Sequence, residues 1–286
     1  MFLFNKPYAG ITEFKVIKKS GMLKKLIKIK SLKGKVIYLP LICMILLHMP
    51  IAFAGISSTH IQEVNFVAEK KIADTTAQSV NANNDSDADA IEAEYNSLDL
   101  DNLGLSKTAF SYAMKGFNYL VQQGRLSKDN IISIVDFSQP SSRKRLFIID
   151  LNNLRVLFNT YVAHGVNSGK EYANQFSNAP ESNKSSLGFY ETKNTYQGGN
   201  GYSLRLEGLE RGINDNAEKR DIVIHGAGYV DESLIRSQGY IGRSWGCPAL
   251  PEKLHKPIID KIKNGSCLFI YSANNAYLKK SKIINA

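Results

Sequence analysis

Gly242-Arg243-Ser244-Trp245-Gly246-Cys247-Pro248 follows Ile222-Val223-Ile224-His225-Gly226 after a short loop, and these two segments decide how the chain is read. The upstream segment is an apolar run ending on a histidine, the pattern of a buried strand. The downstream segment sets a cysteine in a turn of small residues. A thiol is nucleophilic only as the thiolate, and a neighbouring imidazole is the usual means of generating one near neutral pH. The pair points to a cysteine enzyme working through an acyl-enzyme, with Cys247 as nucleophile and His225 as general base and then acid. Gly246 lets the backbone turn tightly toward a substrate carbonyl, where nearby amides can stabilise an oxyanion.

Residues around this pair supply further candidates. Arg243 presents a guanidinium that matches a carboxylate bidentately, although a surface ion pair would use it equally well. Ser244 and Trp245 flank the cysteine, and Trp245 offers either a stacking wall or ordinary packing. His164 and Ser168 stand at the start of an Asn/Ser/Gly-rich stretch and either line a groove or hold a turn. His255 falls on an expected helix and reads as a solvated face residue. No tight Cys/His cluster exists, so no metal site is expected. Of the three cysteines, Cys43 lies near the N-terminus, while Cys247 and Cys267 could form a disulfide if the chain is exported. Against that pairing, Cys267 sits in the apolar run Cys267-Leu268-Phe269-Ile270-Tyr271, where a free thiol packs as a small hydrophobe.

Farther out, Phe110, Ala113, Met114, Phe117, Leu120 and Val121 recur at helical spacing after the capping residue Ser106, predicting a helix over 106–123. Strands are predicted at 131–137, 145–150, 155–162, 188–192, 203–206, 221–225 and 267–271. Asn152-Asn153 suggests a hairpin between the second and third. A second helix is expected over 251–263, closed by Asn264-Gly265. Many short strands with few helices indicate a mainly β domain of ordinary size. The long segment 165–186 reads as a functional surface loop beside a groove.

Ten of the 36 basic residues, but only one of the 26 acidic ones, precede Gly55, so the net charge of +10 belongs to the N-terminal segment. The rest of the chain is near neutral, which argues against nucleic acid as a partner. Lys24 to Lys35 form a basic region, Val36 to Met49 an apolar one, and Ala52-Phe53-Ala54 a small-x-small cleavage site. Residues 1–54 are therefore expected to be a signal peptide, with Met22 an alternative start and an uncleaved anchor the alternative fate. Export to a periplasm or cell wall follows, with no membrane span after cleavage. Residues 55–103, rich in Ala, Asn, Asp, Ser and Thr, read as a flexible polar spacer, and 104–286 as the catalytic domain.

Several ordered pieces between Arg145 and Tyr271 together resemble one family. They are Ala163-His164-Gly165, Ser168-Gly169, Phe176-Ser177-Asn178, Ser185 to Phe189, Ile222 to Ala227 and Gly242 to Leu250. These look like a divergent branch of the L,D-transpeptidases of peptidoglycan, the YkuD-type superfamily, whose signature is a His followed after a loop by Ser/Thr-His-Gly-Cys. Trp245 stands where that motif has its second histidine, and Ala249 where an asparagine is usual. Eighteen residues separate His225 from Ser244, somewhat more than the family norm.

The resemblance implies a YkuD-like β-sandwich or barrel and a two-step acyl transfer on peptidoglycan stem peptides, without metal or organic cofactor. Cys247 would open the tetrapeptide stem after its diaminopimelate-type residue, and an acceptor amine would take the acyl group. The family orients its histidine through a neighbouring main-chain or hydroxyl group, and here Gly226 offers only backbone. An L,D-carboxypeptidase using the same residues, or a non-catalytic wall-binding module, are the alternatives.

Overall fold

The structure is a computed structural model and describes residues 81–286. The expected signal segment 1–54, and spacer residues 55–80, lie outside the described residues.

A single eight-stranded sheet organises the domain. β1 (Ile131–Asp136), β2 (Leu146–Asp150) and β3 (Arg155–Thr160) form an antiparallel meander. The β2–β3 turn carries Asn152-Asn153, with the Asn153 amide nitrogens hydrogen-bonded to the Asp150 carboxylate. β4 (Gly188–Gly198) and β5 (Gly201–Gly208) make a long hairpin bulged between Thr192 and Thr195. β6 (Val223–Ala227) pairs antiparallel with β5 and parallel with the short β7 (Ala249–Pro251). β8 (Cys267–Tyr271) lies between β1, to which it is parallel, and β4, to which it is antiparallel. The strand order is β3-β2-β1-β8-β4-β5-β6-β7. An antiparallel bridge from Ala249 of β7 to Ala163, just past β3, brings the two ends of the sheet together. The result is a nearly closed, barrel-like sheet.

β1, β2 and β8 are buried along their whole length, which matches their continuous apolar sequences and requires cover on both faces. Helices supply part of that cover. α1 (Asn81–Ser97), α2 (Leu100–Leu103) and α3 (Lys107–Gln122) precede the sheet. α4 (Glu232–Gln238), α5 (Glu252–Ile262) and α6 (Asn275–Lys280) follow β6, β7 and β8 in turn. Ser106 caps α3 by accepting the Ala109 N–H, and Ala109, Phe110, Ala113, Met114, Phe117 and Leu120 face the core. Gly116 is required on that face, because a Cβ there would sit 2.0 Å from Cζ of Phe189. Phe189 of β4 in turn stacks on Phe269 of β8 at 4.2 Å, so α3, β4 and β8 meet there.

The C-terminal part of the expected spacer is folded, which corrects the boundary at 103. Tyr95, Leu98 and Leu100 are buried, and the Tyr95 hydroxyl donates to the Leu105 carbonyl at 2.6 Å. Ile91, Tyr95 and Leu98 fall on one helical face, a stripe that the average polarity of the segment conceals.

Candidate active site

Both halves of the opening pair reach one cleft of about 770 Å³. Ile222, just before β6, and Ile224 within it enter the core, and His225 follows in the middle of the strand. β7 pairs His225 with Ala249, so the turn before Ala249 lies beside the histidine. Within that turn Cys247 is half-buried, and its Sγ lies 3.5 Å from both the Val223 amide nitrogen and the Asp221 carbonyl oxygen. Val223 is two residues before His225 on the same strand. His225 is 5% exposed, and its Nδ1 donates to the Gly226 carbonyl at 3.0 Å. That bond fixes the proton on Nδ1 and leaves Nε2 with a free lone pair.

Electrostatics favour a neutral resting pair. Burial, aided by the charge of nearby His255, lowers the His225 pKa below the ordinary imidazole value, against the Gly226 hydrogen bond. Burial raises the Cys247 thiol, while the Val223 amide and the Arg220 guanidinium pull it down. The other free thiol, Cys267, is fully buried in β8, and burial raises its pKa strongly. A Cys247–Cys267 disulfide is therefore not formed, because β8 keeps Cys267 inside the sheet.

The turn holding Cys247 is internally braced. Gly246 has φ +124°, and a Cβ there would meet the Lys184 carbonyl oxygen at 2.9 Å, so only glycine fits. The Ser244 hydroxyl donates to the Cys247 carbonyl at 2.6 Å and accepts the Gly246 N–H at 3.1 Å. The Gly246 N–H is thereby spent on the Ser244 hydroxyl, and that hydroxyl braces the turn. Among the described residues, the Trp245 amide has no hydrogen-bond partner and the Cys247 amide has none on another residue.

His164 and Ser168 do not line the cleft. Both are fully buried. The Arg145 guanidinium donates to His164 Nδ1 at 2.7 Å, and His164 Nε2 donates to the Gly169 carbonyl at 3.3 Å. Burial, reinforced by Arg145, drives the His164 pKa down to about 3, so the ring is a neutral structural bridge. Ser168 accepts the Ser185 N–H and ties together the two ends of the loop 165–186. That loop forms one wall of the cleft through Pro180, Glu181 and Asn183.

Arg243 and Trp245 do line the cleft, as does Tyr229. Arg243 spends one N–H on the Gly169 carbonyl at 3.2 Å and keeps the rest of its fork free among the described residues. Trp245 is 81% exposed, so it is a rim residue and not a packed one. Gly226 lies behind the histidine against the ring of His255, which is half-buried there and not a free solvated residue. Arg220, Asp221 and Lys219 also line the cleft, and nothing in the sequence singled them out as site residues. Among the described residues, no group of three potential ligands could hold a metal ion, and no helix is long and apolar enough to cross a membrane.

Residues 101–271 match the sequence profile of a family described as the L,D-transpeptidase catalytic domain. No match is found among curated proteins. Similar solved structures include the L,D-transpeptidase from Mycobacterium smegmatis, at 13% identity and TM-score 0.31 over 50% of this chain and 59% of that one. The L,D-transpeptidase 3 from Mycobacterium tuberculosis with a faropenem-derived adduct aligns at 12% identity and TM-score 0.30, over 50% and 60%. The L,D-transpeptidase from Stackebrandtia nassauensis aligns at 14% and 0.30, over 58% and 67%. The chain thus spans about three fifths of the first two of these relatives.

Proposed function

This chain belongs to the L,D-transpeptidase catalytic-domain family, and from that premise we propose that it transfers acyl groups between peptidoglycan stem peptides through a thioester on Cys247. The observation that carries this reading is the convergence of Cys247 and a tautomer-fixed His225 on one open cleft.

His225 Nε2 takes the thiol proton as Sγ attacks the carbonyl of the penultimate stem residue. The oxyanion forms against the amides of Trp245 and Cys247. Collapse breaks the amide bond; the leaving amine of the terminal D-residue accepts the proton from His225 and departs, and the thioester remains. An acceptor amine then attacks the thioester, gives its proton to His225, and the new amide leaves as Cys247 recovers its proton. Gly226 supplies the carbonyl that keeps His225 oriented, and the free part of the Arg243 fork suits a stem carboxylate. No step requires a metal or organic cofactor. Residues 1–54 are proposed as the export signal that would take this activity to the periplasm or cell wall.

Incubation of the purified protein with disaccharide-tetrapeptides tests the reading. Release of the terminal D-residue together with cross-linked dimers is the expected result. Tripeptides alone would make the protein an L,D-carboxypeptidase, and an unchanged substrate would leave it a wall-binding module. The pH profile adds a second check. Because His225 is held below the ordinary value of about 6.5, it stays an unprotonated base into more acidic solution. The acid limb of kcat/KM is expected below that value, and an acid limb at or above it would contradict the burial of His225.

A further inference from the structure

Arg220 occupies an unusual position beside the proposed nucleophile. It stands at the end of the turn 218–220, directly before β6, and is half-buried in the lining of the cleft. Its Nη1 donates to the Ser177 carbonyl and the Ser186 hydroxyl, each at 2.8 Å. Its Nη2 donates to the Ser182 hydroxyl at 3.2 Å and the Lys184 carbonyl at 2.6 Å. All four N–H groups of the two η nitrogens are thus committed to the loop that walls the cleft. Every one of these acceptors is neutral. Among the described residues no carboxylate forms an ion pair with Arg220, although ion pairs are formed elsewhere on the surface.

Two consequences follow. With its fork spent, Arg220 has no bidentate face to offer a substrate carboxylate, which separates it from Arg243. Its charge, however, remains uncompensated close to the Cys247 turn, with Nη2 only 3.4 Å from where a Cβ on Gly246 would lie. A half-buried cation without a counterion interacts strongly with any anion that forms beside it.

We propose that Arg220 is a positioning residue with two linked tasks: it straps the loop 177–186 down as the wall of the cleft, and its unpaired charge is the counterion for the Cys247 thiolate as that thiolate forms. This inference rests on Cys247 being the nucleophile. It adds a fixed positive charge to the mobile proton of the histidine, so the sulfur anion is stabilised from two sides while His225 holds the thiol proton.

The other charged and titratable groups around Cys247 do not supply this field. His225 on β6 is neutral at rest, and Asp221 opposes thiolate formation. Glu181 sits on the loop wall, and Tyr229, Lys219 and Arg243 also line the cleft. Of the cations here, Arg220 is the one whose charge acts on the Cys247 thiol.

The test is the pH dependence of iodoacetamide alkylation of Cys247 in the full chain, located by peptide mass, for wild type, R220Q and R220K. Removing the charge in R220Q is expected to raise the alkylation midpoint by about one pH unit, about a tenfold lower rate at any pH below both midpoints. R220K keeps a cation in place and is expected to hold the wild-type midpoint. A purely structural strap predicts otherwise, because lysine cannot remake four hydrogen bonds. An unchanged midpoint in a cooperatively melting R220Q protein would overturn the proposal. So would an R220K midpoint shifted by a full unit, and that comparison decides the matter alone if R220Q does not fold. A wild-type Cys247 that never labels would instead refute the nucleophile reading on which this one rests.

Discussion

Cys247→Ala is expected to abolish turnover of tetrapeptide stems, with a loss of roughly a thousandfold or more, the scale seen when a nucleophile is removed from an acyl-transfer site. The reasoning is chemical. His225 and the Trp245 and Cys247 amides would remain, but nothing else in the cleft can form the thioester. Asp221 and Glu181, which line the cleft, are carboxylates, and Cys267 is sealed inside β8. The same substitution removes only a half-buried thiol, so the melting temperature should change little. Carbapenem or iodoacetamide labelling of wild type should therefore appear on the peptide containing Cys247 and never on the one containing Cys267. Turnover surviving in Cys247→Ala would end the covalent mechanism, whatever the protein then proved to do.

Phe189→Ala is the substitution expected to cost the fold most. The ring is fully buried, stacked at 4.2 Å on Phe269 and pressed against the notch at Gly116. Phe-to-Ala changes in such cores destabilise by about 3–5 kcal/mol, at the upper end where the neighbours cannot relax into the cavity. Here relaxation is hindered from two sides. Gly116 has no side chain to extend, and Phe269 is pinned by strand partners on β1 and β4. Urea denaturation of the two proteins measures the difference directly. A loss under about 1 kcal/mol would mean that the contact between α3, β4 and β8 is not the packed centre described above.

How much of this was legible in the sequence depended on whether the signal was local. β8 was read with its observed limits, because its apolar run ends at turn residues on both sides. The helix after Ser106 was equally plain, since cap and periodicity agree. β4 ran six residues past its expected end at Thr192, because the bulge between Thr192 and Thr195 carries a polar stretch on as an exposed hairpin. β7 was missed altogether, since three residues ending in proline hold no pattern to detect. α1 was hidden by composition, its apolar face being too sparse to raise the average of the segment.

The site divides along the same line. Cys247 and His225 were legible from side-chain chemistry, which needs no knowledge of neighbours. His164 was misplaced because its partner Arg145 is 19 residues away and nothing local says that a histidine will be buried against an arginine. Arg220 was invisible for a related reason. Its acceptors lie 34 to 43 residues earlier, and are carbonyls and serines that no motif records.

The place of β8 in the sheet sets a condition on when this protein can fold. β1, β2 and β3 form one half of the sheet and β4 to β7 the other, and β8 is the strand that bonds to both. It is also the last of the eight strands of this sheet to be synthesised. A nascent chain that ends just before Cys267 owns two half-sheets whose inner edges, β1 and β4, are open, and which meet only at the bridges Ala163–Ala249 and Gly165–Ser244. Order along the chain and order in space thus run against each other, and cooperative folding of the sheet waits for β8. A stop between Pro251 and Cys267 would not yield a smaller domain but two halves lacking their central strand, with the nucleophile stranded on one of them.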